Sequence, residues 1–349
     1  MLLCCDKKYY ISILLLILCC NIQSQDIHFS QFRLLPNVIN PAFTGVFEED
    51  IKIGLTYRNQ SPTLNNVFNT VGFGIDASLF KQKRPTSIMG LGVHFYSDVA
   101  GSIRFAKNVI MLNYAYSQVL DKQYKFVLSF GIQNSLQFSS IDFSKITTED
   151  AFNGFNNFDF NELTEYNLIN KKFNYNIGSG ILFTMQPTSK INAHIGFGAF
   201  NLVSNNVSWN KDNNIPIQKR YTLQLGAALK TKGNISILPN VLIQKQKLFS
   251  EYIFGSYVQY SKKSKNNQAN EKYAIAIGTH YRWNDAVIIG TQFYYKKINI
   301  NIAYDVQTSK LIRANKSVGA LEISLVYGNQ VFKDRITPKL PIPCPKTLY

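Results

Sequence analysis

The chain has 349 residues, 46% of them hydrophobic and only 17% charged, with 37 Lys and Arg against 21 Asp and Glu and with 25 Phe and 20 Tyr. That apolar and aromatic content excludes a disordered chain, and the longest apolar run, Ile11 to Cys20, is about half of what a membrane-spanning helix needs. A mean hydropathy of -0.09 with so few charges describes a surface that water alone does not explain.

Residues 1–24 read as a secretory signal peptide: Lys7 and Lys8 precede the apolar run and polar Asn21 to Ser24 follow, so cleavage is expected near Ser24. Lipidation at Cys19 or Cys20 is the weaker reading, because Leu18 stands where a small residue would be expected. Cys4, Cys5, Cys19 and Cys20 leave with this leader. Cys344 is then alone, and no intrachain disulfide framework is expected. Residues 25–50 are read as a lead-in or plug segment.

Period-two alternation then dominates the chain. In residues 71–79, Val71, Phe73, Ile75, Ala77 and Leu79 alternate with Gly72, Gly74, Asp76 and Ser78; in 273–282, Tyr273, Ile275, Ile277, Thr279 and Tyr281 alternate with Ala274, Ala276, Gly278, His280 and Arg282. About fourteen such segments are expected, beginning near residues 51, 69, 87, 105, 123, 172, 190, 219, 233, 250, 271, 286, 297 and 317, each of about the 9–11 residues of a tilted membrane strand. A soluble sandwich would need two inner faces buried against each other, whereas a barrel in lipid buries its outward face and leaves no unpaired edge. The expected fold is therefore all-β, a transmembrane antiparallel up-and-down β-barrel over residues 51–328, followed by a basic, Pro-rich periplasmic tail over 329–349.

Loop lengths fix an expected orientation, because outer-membrane barrels pair short periplasmic turns with longer external loops. The two longest connections, 138–171 and 204–218, fall on one side; Leu120 to Gln123, Gln186 to Ser189, Thr231 to Gly233 and Lys296-Lys297 fall on the other, with Ser261 to Asn270 as a longer exception. The predicted periplasmic turns and tail are rich in lysine, among them Lys81, Lys83, Lys122, Lys230, Lys262, Lys296, Lys297, Lys333 and Lys339. The long external loop carries Asp142, Glu149, Asp150, Asp159, Glu162 and Glu165. Solvated turns near outer-membrane lipid headgroups explain the basic side, and docking of an acidic periplasmic protein is the sharper alternative. No nucleic-acid partner is expected, since the leader removes the chain from the cytoplasm and no binding motif occurs.

Little in the sequence carries chemistry. His94, His194 and His280 should point into the lumen, where they could converge on a metal, but a wet lumen whose polar lining includes histidines is the preferred reading. No GxSxG elbow marks a hydrolase, and Gly72-Phe73-Gly74, Gly90-Leu91-Gly92 and Gly196-Phe197-Gly198 lack the following helix of a phosphate loop. Asp150 to Glu165 could chelate calcium, although it lacks EF-hand spacing and loop solubility explains the same composition. No enzyme activity, cofactor or resident metal is expected.

Three motifs open the mature chain: Asp26-Ile27-His28-Phe29-Ser30-Gln31-Phe32, Asn40-Pro41-Ala42-Phe43-Thr44-Gly45 and Tyr57-Arg58-Asn59-Gln60. Others lie near its end: Tyr281-Arg282 with Asp285-Ala286, Tyr304-Asp305-Val306, Glu322-Ile323-Ser324-Leu325 and Cys344-Pro345. Together they resemble the PorP/SprF family of Bacteroidetes outer-membrane proteins. That resemblance implies a part in type IX secretion and gliding motility. The implied partners are periplasmic components of the secretion machinery and a secreted surface protein or its C-terminal domain. Asp26, His28, Phe29, Ser30, Gln31, Asn40, Pro41, Gly45, Tyr57, Arg58, Asn59, Gln60, Cys344 and Pro345 are the motif positions for which a structural or partner-binding role is expected. A passive channel or small-solute transporter is the alternative that the barrel pattern alone supports.

Overall fold

A computed structural model describes residues 30–60, 68–80, 86–101, 104–142, 169–211, 213–231, 233–263, 271–308, 318–330 and 343–345. The leader, Asp26, His28, Phe29 and the proposed calcium-binding stretch lie outside the described residues.

Fourteen antiparallel strands close into one barrel. They are β1 (Ile51–Gln60), β2 (Phe68–Leu79), β3 (Ser87–Ala100), β4 (Phe105–Val119), β5 (Phe126–Ser140), β6 (Lys171–Thr188), β7 (Ile191–Phe200), β8 (Arg220–Lys230), β9 (Ile235–Gln246), β10 (Phe249–Lys263), β11 (Glu271–Arg282), β12 (Ala286–Tyr295), β13 (Ile298–Gln307) and β14 (Val318–Asn329). Each pairs with its chain neighbours, and β1 pairs with β14 from Ile51↔Asn329 to Gln60↔Ala320, so the wall has no open edge. All strands but one begin within two residues of the expected positions. The exception is β5, which starts at Phe126 because Asp121 Oδ1 accepts from the amides of Lys125 and Phe126, both at 2.8 Å, and folds the preceding residues into a turn.

Alternation sorts the faces as expected. On β2, Val71, Phe73 and Ile75 are exposed on the outside, while Thr70, Asp76 and Ser78 are buried inside. The outer face of the other strands is likewise a band of Leu, Ile, Val, Phe and Tyr, the surface that a hydrocarbon layer covers. The connections after odd-numbered strands, including 141–170 and 201–219, share one end of the barrel, here the upper end; the hairpins after even-numbered strands, including Lys296-Lys297, share the lower end. By the loop-length rule the upper end faces outward from the cell. Cations are not confined to the lower end: Arg104, Lys107, Lys171, Lys172, Lys219, Arg220, Lys245 and Lys247 flank the upper rim.

The lumen differs from the wet interior expected of it. Ser30 to Phe47 are all buried, and they run inside the wall from the upper end, where Ser30 bonds Glu322, to the lower end, where Asp50 accepts from the Ser78 amide and its own amide donates to Asn329. Two single-turn 3-10 helices, Pro36–Val38 and Pro41–Phe43, compact this plug; in each, proline takes the first helical position, where a missing N–H costs nothing. Apolar plug residues meet apolar wall residues that break the small-or-polar rule of the inner face: Phe32 and Ile39 pack with Leu242, Ile253 and Ile288, Leu35 and Val38 with Val109 and Met111, and Ala42, Phe43 and Val46 with Leu182. Burying one such side chain contributes about 1.5–3 kcal/mol. Hydrophobic burial, not only hydrogen bonding, therefore holds the plug.

Candidate functional site: a latched plug

The upper end of the plug is tied by charge. Glu322 (β14), Asp305 (β13), Arg58 (β1) and Arg282 (β11) point inward at the level of Ser30, all at most 5% exposed. The Ser30 amide donates to Glu322 Oε2 at 2.8 Å and its hydroxyl to Asp305 Oδ2 at 2.6 Å; the Gln31 amide donates to Glu322 Oε1 at 3.1 Å and its side chain to the Glu322 carbonyl. Arg58 bridges Asp305 and Glu322 at 3.1 Å each and also donates to the Ser30 hydroxyl. Arg282 reaches Asp305 at 2.8 Å and Asp285 at 2.5 Å. Buried charges are tolerated only when paired and fully hydrogen-bonded. Here two guanidinium groups pair with the carboxylates of Asp305 and Glu322 around the backbone of Ser30 and Gln31, and the half-exposed Asp285 holds Arg282 from the margin.

Strand pairing creates this cluster. Arg58 and Glu322 are direct register partners across the β1/β14 seam, so motifs far apart in sequence meet only when the barrel closes.

Lower down, the middle of the plug is held mainly by amide side chains, with Asp76 and His94 beside them. Asn37 Nδ2 lies 2.7 Å from Asp76 Oδ1 and 3.0 Å from His94 Nε2. The Asn37 carbonyl accepts from Gln133, which also donates to Asn113. Asn40 caps the second 3-10 turn, its Oδ1 accepting from the Ala42 amide at 2.9 Å, while its Nδ2 donates to the Ile181 carbonyl and to Gln224 Oε1. Gly45 turns the chain with a φ of +74°. A Cβ there would lie 2.5 Å from Gly90 Cα, so both glycines are needed for the plug backbone to touch β3.

The three inward histidines do not converge. Each sits directly across from a glycine on a neighbouring strand: His94 from Gly74, His194 from Gly226 and His280 from Gly255. The missing side chain opposite leaves room for the imidazole along the wall. Each also touches the plug: His94 bonds Asn37, His194 lies edge-on to Phe43 and His280 edge-on to Phe32. Among the described residues no group of three His, Cys, Asp or Glu side chains could hold a metal.

Arg33 is the charged side chain deepest in the plug. Its Cζ lies 4.4 Å from the centroid of the Tyr257 ring and its Nη2 donates to Gln292 at 3.0 Å. Burial pushes this guanidinium down to about 10, with Tyr257 opposing the shift, so it remains a cation at neutral pH.

The remaining motif positions divide. Tyr57 and Asn59 face outward and share Asn69 Oδ1 at 3.2 and 2.7 Å, while Gln60 accepts weakly from Arg58 at 3.5 Å. Pro41 starts the second 3-10 turn. Cys344 and its proline neighbours, residues 343–345, are buried rather than extended into solvent. The sequence-level site assignment omitted Arg282, Asp305 and Glu322 from the wall and Arg33 and Asn37 from the plug. For the wall residues the legible clue is a full charge at a strand position whose alternation points it inward.

Toward the upper end lies a small cavity of about 40 Å³, lined by Lys107, Gln133, Gln137, Asn174, Asn176 and Arg220 beside Val38. Its polar lining carries amide and cationic donors.

A family model described as type IX secretion system membrane protein PorP/SprF matches residues 21–327. No curated protein sequence matches the chain. Among solved structures, the TodX deltaS2S3 mutant monoaromatic hydrocarbon channel is 9% identical over 84% of this chain and 93% of its own, with a TM-score of 0.50. The Ralstonia pickettii toluene transporter TbuX is 11% identical over 85% and 93%, with a TM-score of 0.48. A Pseudomonas aeruginosa FadL homologue is 10% identical over 83% and 92%, also at 0.48. At such identities the likeness concerns the barrel fold alone.

Proposed function

The chain belongs to the PorP/SprF family of type IX secretion system membrane proteins and is an outer-membrane β-barrel; from that footing we propose that it is a non-enzymatic, plugged scaffold that helps to secrete, anchor or display a large cell-surface protein. The observation that carries the reading is the latch: family-motif residues from both ends of the chain, Ser30 and Gln31 with Arg58, Arg282, Asp305 and Glu322, are spent on keeping the lumen filled. A barrel built to stay closed offers its partners surfaces and not a path. The upper rim, where Lys107, Gln137, Asn174 and Arg220 cluster, is the surface on which a secreted protein or its C-terminal domain would be held from outside. The lysines of the lower hairpins, such as Lys296 and Lys297, would meet periplasmic secretion components. A passive channel is the weaker reading, because buried apolar side chains, Phe32, Phe43 and Leu182 among them, pack inside the lumen.

A photo-cross-linking residue placed at Gln137 or Asn174 tests the scaffold. The expected product is a covalent adduct with a large secreted protein in living cells, and that protein should be lost from the surface when the gene is deleted. An unchanged surface proteome with no adduct would overturn the reading.

A further inference from the structure

The geometry points to a small inorganic anion, chloride in the cell, held inside the barrel against Arg33. Arg33 is 3% exposed. Among the described residues no carboxylate lies within 4.0 Å of its nitrogens, in contrast to Arg58 and Arg282, each of which pairs with two acids. Of its three nitrogens only Nη2 is hydrogen-bonded, to the neutral Gln292; Nε and Nη1 are both buried and without a partner. The Tyr257 face below the guanidinium offsets part of the lost hydration, but a neutral amide and a ring leave the charge itself unbalanced, and an uncompensated buried charge is among the costliest features a fold can carry.

Further unpartnered atoms lie beside it on the wall. Asn301, next to Gln292 in register, has neither its Nδ2 nor its Oδ1 bonded although it is wholly buried, and Nε2 of His280, whose ring lies 5.1 Å from that of Tyr257, is unpartnered too. The Asn301 amide N–H and the free guanidinium N–H groups supply donors of the kind a halide takes; the adjacent acceptors, Asn301 Oδ1 and Asn299 Oδ1, are left to accompanying water. Water alone would satisfy the N–H groups but brings no charge. The occupant is small because the plug closes the lumen around Arg33 with Phe32 and Leu34, both buried.

The test uses the full chain refolded in detergent and exhaustively dialysed into sodium gluconate, then titrated with sodium chloride at constant ionic strength while the thermal midpoint is followed. Chloride is expected to raise the midpoint by a few degrees in a saturable manner, as binding to the folded state requires. The Arg33→Gln variant is expected to lose that dependence. Equal chloride responses in the two proteins, or none in the parent, would overturn the proposal. Because the variant could fail to fold, crystals of the parent protein soaked in bromide give a second reading. An anomalous peak at hydrogen-bonding distance from Nε or Nη1 supports the site, and density explained by water alone overturns it.

Discussion

Glu322 accepts from two backbone amides and a guanidinium at once, and its loss would leave Arg58 and the start of the plug short of a partner. Glu322→Ala is therefore expected to destabilise the refolded barrel by about 3–5 kcal/mol, the cost of stranding a buried charge. Glu322→Gln keeps an acceptor and should cost less; the midpoints of denaturant unfolding in micelles check both. At the lower end, Gly90→Val would drive a side chain into the backbone of Thr44, whose carbonyl oxygen lies 2.1 Å from the Cβ position. The expected result is a displaced plug and a rise in single-channel conductance across a planar bilayer, with the parent protein near baseline. Individual roles such as these were hard to read from the chain. Ser30 and Gln31 stand out as motif members, but nothing local says that their amides seek a carboxylate 291 or 292 residues away.

The strands were legible because their cause is local: a side-chain period of two, turns of Asp, Asn, Gly and Lys, and lengths set by the membrane all sit within about a dozen residues of one another. The plug has no such period. Its structure is dictated by sockets on remote strands; the sequence marks the segment by its motifs, and its sockets by large apolar residues at inward positions, Leu182, Leu242, Ile253 and Ile288 among them, where alternation predicts small or polar ones. The role of the plug can be separated from that of the wall. Phe43→Ala removes a ring packed on Leu182 and His194 and should cost about 3–5 kcal/mol in plug docking. Hydrogen exchange in residues 36–46 should accelerate, while amides of β3 to β5, fixed by the strand ladder, should exchange as before. Equal acceleration in the strands would mean that plug and wall open as one unit.

At the scale of the whole molecule, the outward apolar band and the closed hydrogen-bond ladder predict a membrane-extracted protein that migrates faster on a gel unheated than boiled, since a closed barrel resists detergent unfolding. A soluble, heat-insensitive product would contradict the membrane reading. The charge excess also takes a different form here than the loops alone suggested, with cations at both rims and compensated pairs within the upper lumen. The latch has one further consequence, which concerns the order of assembly. Its carboxylates arrive on β13 and β14, the last strands made, while the segment they grip is made before the first strand. A half-inserted barrel thus lacks the charged hold on the start of its plug, although the sockets on earlier strands are already made. Fixing the upper end of the plug and sealing the wall are coupled into a single late event, and a chain stopped before β13 is expected to leave Ser30 and Gln31 open to protease while Gly45 stays against β3.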